Sequence, residues 1–449
     1  MSTTSGHVPH SCNAAPKQTA LGMDAPSMQL INDIHSAAAS ALNTTPRRPL
    51  LHHLNADTSW LIQLPRPASA VRHGGRHYYN ILIDPWFKGT QTDFIKWFSR
   101  QWHAEASAVA SVTEVEDLAR RVEGVARGSA TAVGYGDGRD DEDEASNSAL
   151  VDVVLISHEF TDHCHRETLL EIHPDTPVFA NKEAVKMIES WRHFRTVVPI
   201  DNFGAHGEAD WRGTSNPPLP AWIGISRLLQ KSDLGALHSA MMITFNNRQG
   251  AATSERLSGA RLPVHRHDSP SELIPTDNDT AEAIIYTPHG IAATDVALLP
   301  TTSPPIRTLA LLHGLHNVRV GSPHVGLQIS LGCANGRAVQ EVLKAKYWIG
   351  THDEVKQGVG LIGWLLRRDD VGYGGSASER DQAEQAKAGK ANKQRSGAWG
   401  DLEGANWVEL RNGESKVLEH KRADGGLTPS GRAIDQFCAK PYGPPDVER

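Results

Sequence analysis

Apolar and polar positions along the chain sort into short strand-like runs and stretches with helical spacing. Thr58-Ser59-Trp60-Leu61-Ile62-Gln63-Leu64 and Tyr78-Tyr79-Asn80-Ile81-Leu82-Ile83 are β-rich runs separated by a turn region of Pro, Gly and Arg. Val151-Asp152-Val153-Val154-Leu155-Ile156 is almost continuously apolar, the pattern of a strand buried on both faces. Ala283-Ile284-Ile285-Tyr286, Thr308-Leu309-Ala310-Leu311-Leu312 and Lys346-Tyr347-Trp348-Ile349-Gly350 repeat it. Helical spacing covers Thr92–Gln101, Arg166–Ile172, Lys182–Trp191 and Ala334–Ala345. This alternation predicts an α/β protein, whose functional groups collect in loops beyond the carboxyl ends of the strands. No internal repeat is visible.

Elsewhere the pattern fails. Residues 1–48 are rich in Ser, Thr, Ala and Pro, 124–149 carry an acidic cluster from Asp140 to Glu144, and 248–280 and 370–404 are polar and low in complexity. Such composition buries too little apolar surface to offset chain entropy. The expected organisation is therefore a disordered segment over 1–48 and one domain over 49–365, with low-complexity insertions near 124–149 and 248–280. A mostly disordered tail follows over 366–449. Within that tail Trp407, Val408 and Leu410 are scattered apolar residues, able to dock as a short element or to stay free.

Composition narrows the function classes. The chain has 449 residues, a formal net charge of −7 and 39% hydrophobic residues. A mildly acidic chain lacks the basic face of a general nucleic-acid binder. The four cysteines are far apart, without a CxxC pair, which argues against a disulfide scaffold or zinc ribbon. No segment approaches the ~18 consecutive apolar residues of a membrane span, and the polar N-terminus lacks the apolar core of a secretory signal. A cytoplasmic location is the expectation. A Gly-rich phosphate loop and a Gly-x-Ser-x-Gly elbow are both lacking, so nucleotide-dependent and serine-nucleophile enzymes are poorly supported.

The richest segment is Ile156-Ser157-His158-Glu159-Phe160-Thr161-Asp162-His163-Cys164-His165, directly after the buried run. Three imidazoles and neighbouring carboxylates form a dense group of potential ligands for zinc, or for iron or manganese with added water. A turn is required, because an extended strand would send Asp162 and His163 to opposite faces. The bland alternative is a solvated loop with Asp162 capping the next helix; the density of the cluster behind a buried strand favours the metal.

His158-x-Phe160-x-Asp162-His163 resembles the His-x-His-x-Asp-His signature of the metallo-β-lactamase superfamily, with Phe160 at the second histidine. Val153–His158 is similar to the strand that delivers the motif. Ile81-Leu82-Ile83-Asp84-Pro85 resembles the upstream Asp-Pro strand of the lactonase-like and N-acyl-phosphatidylethanolamine phospholipase-like branch. Ala56-Asp57-Thr58-Ser59-Trp60-Leu61-Ile62 is similar to its Gly-His-Ser/Thr-x-Leu-Ile strand, with Asp57 where histidine is common. The likeness spans about 50–365, and more narrowly the pattern resembles a group of fungal proteins of this superfamily. It implies a four-layer α/β/β/α sandwich.

Carried over residue by residue, the resemblance implies a first metal site with His158 and His238, weakened at Phe160, and a second site with Asp162, His163 and His352. His289, in Thr287-Pro288-His289-Gly290, stands where a bridging aspartate is usual. Phenylalanine has no electron pair to donate, so one ion is expected rather than two. Asp162, His163 and His352 are three ligands with room for water, the composition of a catalytic zinc. His289 would add a fourth ligand or a base, His165 is a spare, and Asp84 would orient a ligating histidine through its free N–H.

Other residues carry plainer expectations. His313 and His316 follow a buried run, so one of them could reach the same cleft; His52, His53, His73, His77, His265 and His267 are expected in solvent, and His193 and His206 on the surface or in packing. Pro85-Trp86-Phe87, Trp97-Phe98 and Trp102 read either as core or as an apolar wall beside the metal. The resulting expectation is a metal-dependent hydrolase of a small-molecule ester, lactone, amide or phosphoester. Bound water, its pKa lowered from about 15.7 toward ~7, would supply hydroxide. The alternative is an inactive scaffold of the same fold that serves as a binding or interaction module. Phe160, the missing bridging aspartate and the insertions favour that alternative.

Overall fold

The structure is a computed structural model that describes residues 47–71, 75–93, 99–127, 149–205, 209–231, 233, 237–247, 279–321, 326–360, 365–369 and 405–419. The first half of the chain contributes β1 (Leu50–His53), β2 (Trp60–Pro65), β3 (Tyr78–Ile83), β4 (Gln91–Asp93), β5 (Ser99–Trp102) and helix α1 (Val112–Ala126). Then come β6 (Val153–Ile156), α2 (Arg166–Leu169), β7 (Val178–Ala180), α3 (Lys182–Ser190) and β8 (Val197–Pro199). The second half runs β9 (Ile223–Leu229), β10 (Ser239–Phe245), β11 (Ala281–Thr287), β12 (Ile306–His313), β13 (Asn317–Gly321), β14 (Gly326–Leu331) and α4 (Gly332–Leu343). It closes with β15 (Tyr347–Ile349), β16 (Gln357–Val359), β17 (Leu366–Asp369), β18 (Trp407–Val408) and β19 (Ser415–Val417).

Among the described residues these strands form two large sheets, ordered β19-β1-β2-β3-β6-β7-β8 and β18-β15-β12-β11-β10-β9, and two small ones, β14-β13-β17 and β16-β5-β4. The period of two along each strand builds the layers. In β6, Val153 and Leu155 face the second large sheet and meet Ile243, Ile284 and Leu312. Val154 and Ile156 face the other way, against Val115, Leu118 and Val122 of α1 and Ile188 of α3. Beyond the second sheet, Ile285, Leu311 and Trp348 pack on Val339 and Leu343 of α4. Helix, sheet, sheet, helix: the fold is the four-layer α/β/β/α sandwich, and β6 is apolar throughout because both its faces are covered.

Several local expectations are corrected. The helix expected over Thr92–Gln101 is contradicted at its ends, which lie in β4 and β5: these pair antiparallel, Thr92 opposite Arg100, while β16 covers the outer edge of β5, and 94–98 lie outside the described residues. A ladder with a distant partner overrode the helical spacing. Helix α1 was not anticipated, although Ser111 caps it by accepting from Glu114 N ahead of the spaced apolar residues Val112, Val115, Leu118 and Val122, and Glu114 in turn accepts from Ala110 N, just before the cap. In the presumed tail, β18 extends the second sheet beside β15 and β19 extends the first beside β1. The expectations for residues 1–46, 128–148, 248–278, 370–404 and 420–449 lie outside the described residues.

His52 and His53 are buried rather than solvated; both sit on β1. His52 bonds Ser415 and Gln63, and His53 bonds the Leu410 carbonyl and stacks on Trp60 at 3.8 Å, so the pair ties the returning chain to β1. His77 is half-buried, and His73, His206, His265 and His267 lie outside the described residues. Burial pushes the imidazoles of His52 and His53 down to about 4. Unfolded, they would protonate near 6.5. Their contribution is therefore present above pH 6.5 and lost as pH falls toward 4, at most about 3 kcal/mol each. Denaturant unfolding between pH 7 and 4 should show that decline, and His52→Asn should flatten it. An equally steep profile in the variant would refute the assignment.

Candidate metal centre

The ends of β3, β6, β11 and β15 and the turn between β1 and β2 meet at one edge of the sandwich. Asp84 follows β3 with a left-handed φ of 41°, and His352 follows β15 with a φ of 58°. Such backbone is uncommon outside glycine and concentrates where a site demands it. His289 follows β11 in a turn that needs Gly290, whose φ is +90° and whose missing Cβ would meet Leu331 Cβ at 2.8 Å. In the β1–β2 turn, Asn55 Oδ1 accepts from the backbone N–H of Asp57 and of Ser59. His352 N–H donates to Asp57 O at 2.8 Å, which joins the two ends of the domain.

Two carboxylates orient two imidazoles. Asp84 Oδ2 accepts from His163 Nδ1 at 2.7 Å and from the Tyr286 hydroxyl at 2.8 Å, while Asp84 Oδ1 accepts from Ser157 N–H at 2.8 Å. Asp57 Oδ1 accepts from His352 Nδ1 at 3.0 Å. A carboxylate only accepts, so each Nδ1 carries a proton and each Nε2 is the nitrogen that could offer a lone pair to a metal ion. His163 Nε2 lies 3.9 Å from Asp162 Oδ1, and His352 Nε2 lies 3.8 Å from Asp162 Oδ2. The His289 ring centroid is 5.2 Å from that of His163 and 4.8 Å from that of His352.

Asp162, His163 and His352 thus form one group of ligand atoms within 4.8 Å of one another, and His158, His163 and His289 form a second. Either group could hold a metal ion. Asp162 Oδ1, His163 Nε2 and both ring nitrogens of His289 are buried without a hydrogen-bond partner among the described residues. Leaving a buried polar atom unpaired costs roughly 1–3 kcal/mol, and Asp162 Oδ1, His163 Nε2 and one ring nitrogen of His289 are atoms that a single ion could satisfy. Imidazole nitrogen with a carboxylate suits zinc, iron or manganese. His158 is less available, because its Nε2 faces the Leu237 carbonyl at 2.9 Å and its Nδ1 faces Ser157 Oγ at 2.9 Å. His238 belongs to neither group; its Nδ1 faces Asp233 Oδ1 at 3.4 Å.

Electrostatics agree with the geometry. Burial works to raise the Asp162 carboxyl, but Lys356, His163 and His352 outweigh it and hold Asp162 below the usual carboxylate range. His163 is held above the usual histidine value, where Asp162 and Asp84 outweigh burial. Burial and then the neighbouring histidines push His289 well down, so it is neutral near pH 7.

Lys356 was not anticipated. Its ammonium lies 2.8 Å from Asp57 Oδ2 and 2.8 Å from Asp162 Oδ2, with the face of Trp86 5.1 Å away. A lysine separated by 194 positions from its aspartate gives no local signal. The orienting role of Asp57 was equally hidden, although the resemblance had marked the position.

A cavity of about 420 Å³ opens from the centre. Asp57, Asp162, His289, His352 and Lys356 line its floor; Val318, Val320, Leu327, Ile329 and Leu366 of the small sheet β14-β13-β17 form an apolar wall, with Phe160 and Leu237 beside it. The wall is not made by the tryptophans: Trp86 and Phe87 are core, Trp102 donates to Gln357, and Trp97 and Phe98 lie outside the described residues. Neither His313 nor His316 reaches the ligand groups. His313 bonds Gly314 O and Asn335, and His316 lines a separate cavity of about 680 Å³ in which none of the converging ligands takes part. His165 caps α2 through Thr168, and His193 bonds Ile172 O.

No protein-family model matches the sequence, and no curated protein matches it. Among solved structures the chain is similar to an isothiocyanate hydrolase from Delia radicum gut bacteria, at 11% identity and a TM-score of 0.41 over 83% of this chain and 100% of that one. It is similar to a possible metal-dependent hydrolase from Veillonella parvula at 12% identity and a TM-score of 0.42, again over 83% and 100%. The metallo-β-lactamase fold protein YhfI from Bacillus subtilis is similar at 10% identity and a TM-score of 0.35, over 82% and 99%. Among the described residues no helix is long and apolar enough to cross a membrane.

Proposed function

We propose that this protein is a metal-dependent hydrolase of a small molecule with an apolar arm, working at a single-ion centre. The observation that carries the proposal is the convergence of partnerless buried ligand atoms from Asp162, His163 and His289, with His352 completing the set. When bound, zinc, iron or manganese would polarise the accepting oxygen of an ester, lactone, amide or phosphoester and activate water.

The protein's own residues do the rest. Asp84 and Asp57 fix the tautomer and aim of His163 and His352. Asp162 supplies negative charge against the ion. His289, depressed by burial, is a weak base at neutral pH, which favours it as fourth ligand over general base. The wall of β13, β14 and β17 excludes water and receives the apolar arm.

Elemental analysis of protein purified without chelator, followed by assays on chromogenic esters, lactones and phosphodiesters of graded alkyl length, tests this. We expect about one equivalent of metal and activity that chelation removes and metal restores. kcat/KM should rise up to about fourfold per added methylene until the cavity fills, given ~0.8 kcal/mol per buried CH₂. Absence of both metal and turnover would leave the binding-scaffold reading in its place.

A further inference from the structure

We propose that the Lys356 ammonium occupies the position of a second cation, between Asp57 and Asp162, and so limits the centre to one metal ion. This extends the single-ion hydrolase reading, but its evidence is separate: it concerns which cation already sits beside the ligand cluster.

Lys356 immediately precedes β16, and the pairing of β16 with β5 anchors it. Its side chain is 7% exposed. The ammonium donates to Asp162 Oδ2 at 2.8 Å and to Gln91 Oε1 at 3.2 Å, and it forms an ion pair with Asp57 Oδ2 at 2.8 Å. Two carboxylates and an amide oxygen are what a hard divalent cation would select. The spacing, however, suits a charge-assisted N–H···O contact rather than the ~2.1 Å of magnesium-like coordination. Each aspartate therefore divides its oxygens. Asp57 Oδ1 holds His352 and Asp162 Oδ1 faces His163, while both Oδ2 atoms turn to the lysine.

Charge points the same way. Asp57, Asp84 and Asp162 are buried, and the Lys356 ammonium already offsets part of their negative charge, which lowers the pull of this position on a further cation. Lys356 fills the room a second ion would need.

The test is the number of manganese ions bound by the full-length protein, stripped of metal and titrated with manganese chloride by calorimetry, with bound metal counted after desalting. Lys356→Met should bind one more equivalent than the wild type. Lys356→Arg, which keeps the charge, should bind no more than the wild type. Lys356→Cys should behave like Lys356→Met until alkylation with 2-bromoethylamine rebuilds the ammonium and returns the wild-type count. Circular dichroism verifies folding, and Lys356→Gln replaces the methionine variant if that one does not fold.

A wild type with one ion and a variant with two supports both readings. A wild type with none and a variant with one supports the role of the lysine while removing the hydrolase reading. Equal counts in wild type and Lys356→Met, or two ions in the wild type, would overturn the inference.

Discussion

Asp162→Ala protein, purified without chelator, will hold no stoichiometric metal and turn over no substrate. Asp162 is the carboxylate of the ligand group with His163 and His352, and its Oδ1 is buried without a hydrogen-bond partner among the described residues. Its removal deletes the anionic ligand and leaves the Lys356 ammonium with Asp57 as its one remaining carboxylate partner, beside Gln91 Oε1. Breaking a buried pair from one side costs about 3–5 kcal/mol, so the variant will also be less stable. Asp162→Asn separates the two effects, because it keeps the volume of the side chain and removes the charge. A cooperatively folding Asp162→Asn protein without metal is the diagnostic result. Equal metal content in wild type and variant would defeat the assignment of Asp162 as ligand.

The next largest effect is expected at Asp84, which touches no ion. Its carboxylate accepts from His163 Nδ1, Ser157 N–H and the Tyr286 hydroxyl, and burial raises the Tyr286 phenol far enough to keep it a donor. Asp84→Asn suits the left-handed backbone at this position, since asparagine tolerates it. The amide carries no charge to hold the imidazole proton on Nδ1, so Nε2 is no longer reserved for the metal. Loss of such an orienting partner typically costs 10–100-fold in metal affinity. Calorimetric titration should show that loss in Asp84→Asn, whereas Phe160→Leu, a change in the cavity wall, should leave affinity alone. Unchanged affinity in Asp84→Asn would show that Asp84 serves packing only.

Much of the domain was legible because its signals are local. β2, β3, β6, β11, β12 and β15 each announced themselves as short apolar runs, since a strand covered on one or both faces must be built of residues that tolerate such burial. The cluster at 158–163 was equally visible, because a turn after a strand concentrates its ligands in a few consecutive residues. β9 and β10 escaped notice although they are buried along nearly all their length; Arg227 and Ser226 interrupt the first, and the second follows a loop. β18 and β19 are three residues or fewer and exist only because a sheet edge accepts them.

The order of residues alone determined the alternation of strands and helices and the positions from which imidazoles and carboxylates could converge. Those properties follow from periodicity and side-chain chemistry, which each short stretch carries by itself. Tertiary structure decided which candidates meet: His163 and His352 share Asp162, His238 and His316 stay apart, and β13, β14 and β17 rather than the tryptophans wall the cavity. It also decided that Lys356 faces Asp57 and Asp162 instead of water. Pairing across 295 positions, as between Asp57 and His352, depends on the closure of the whole sandwich, and no local pattern encodes that closure.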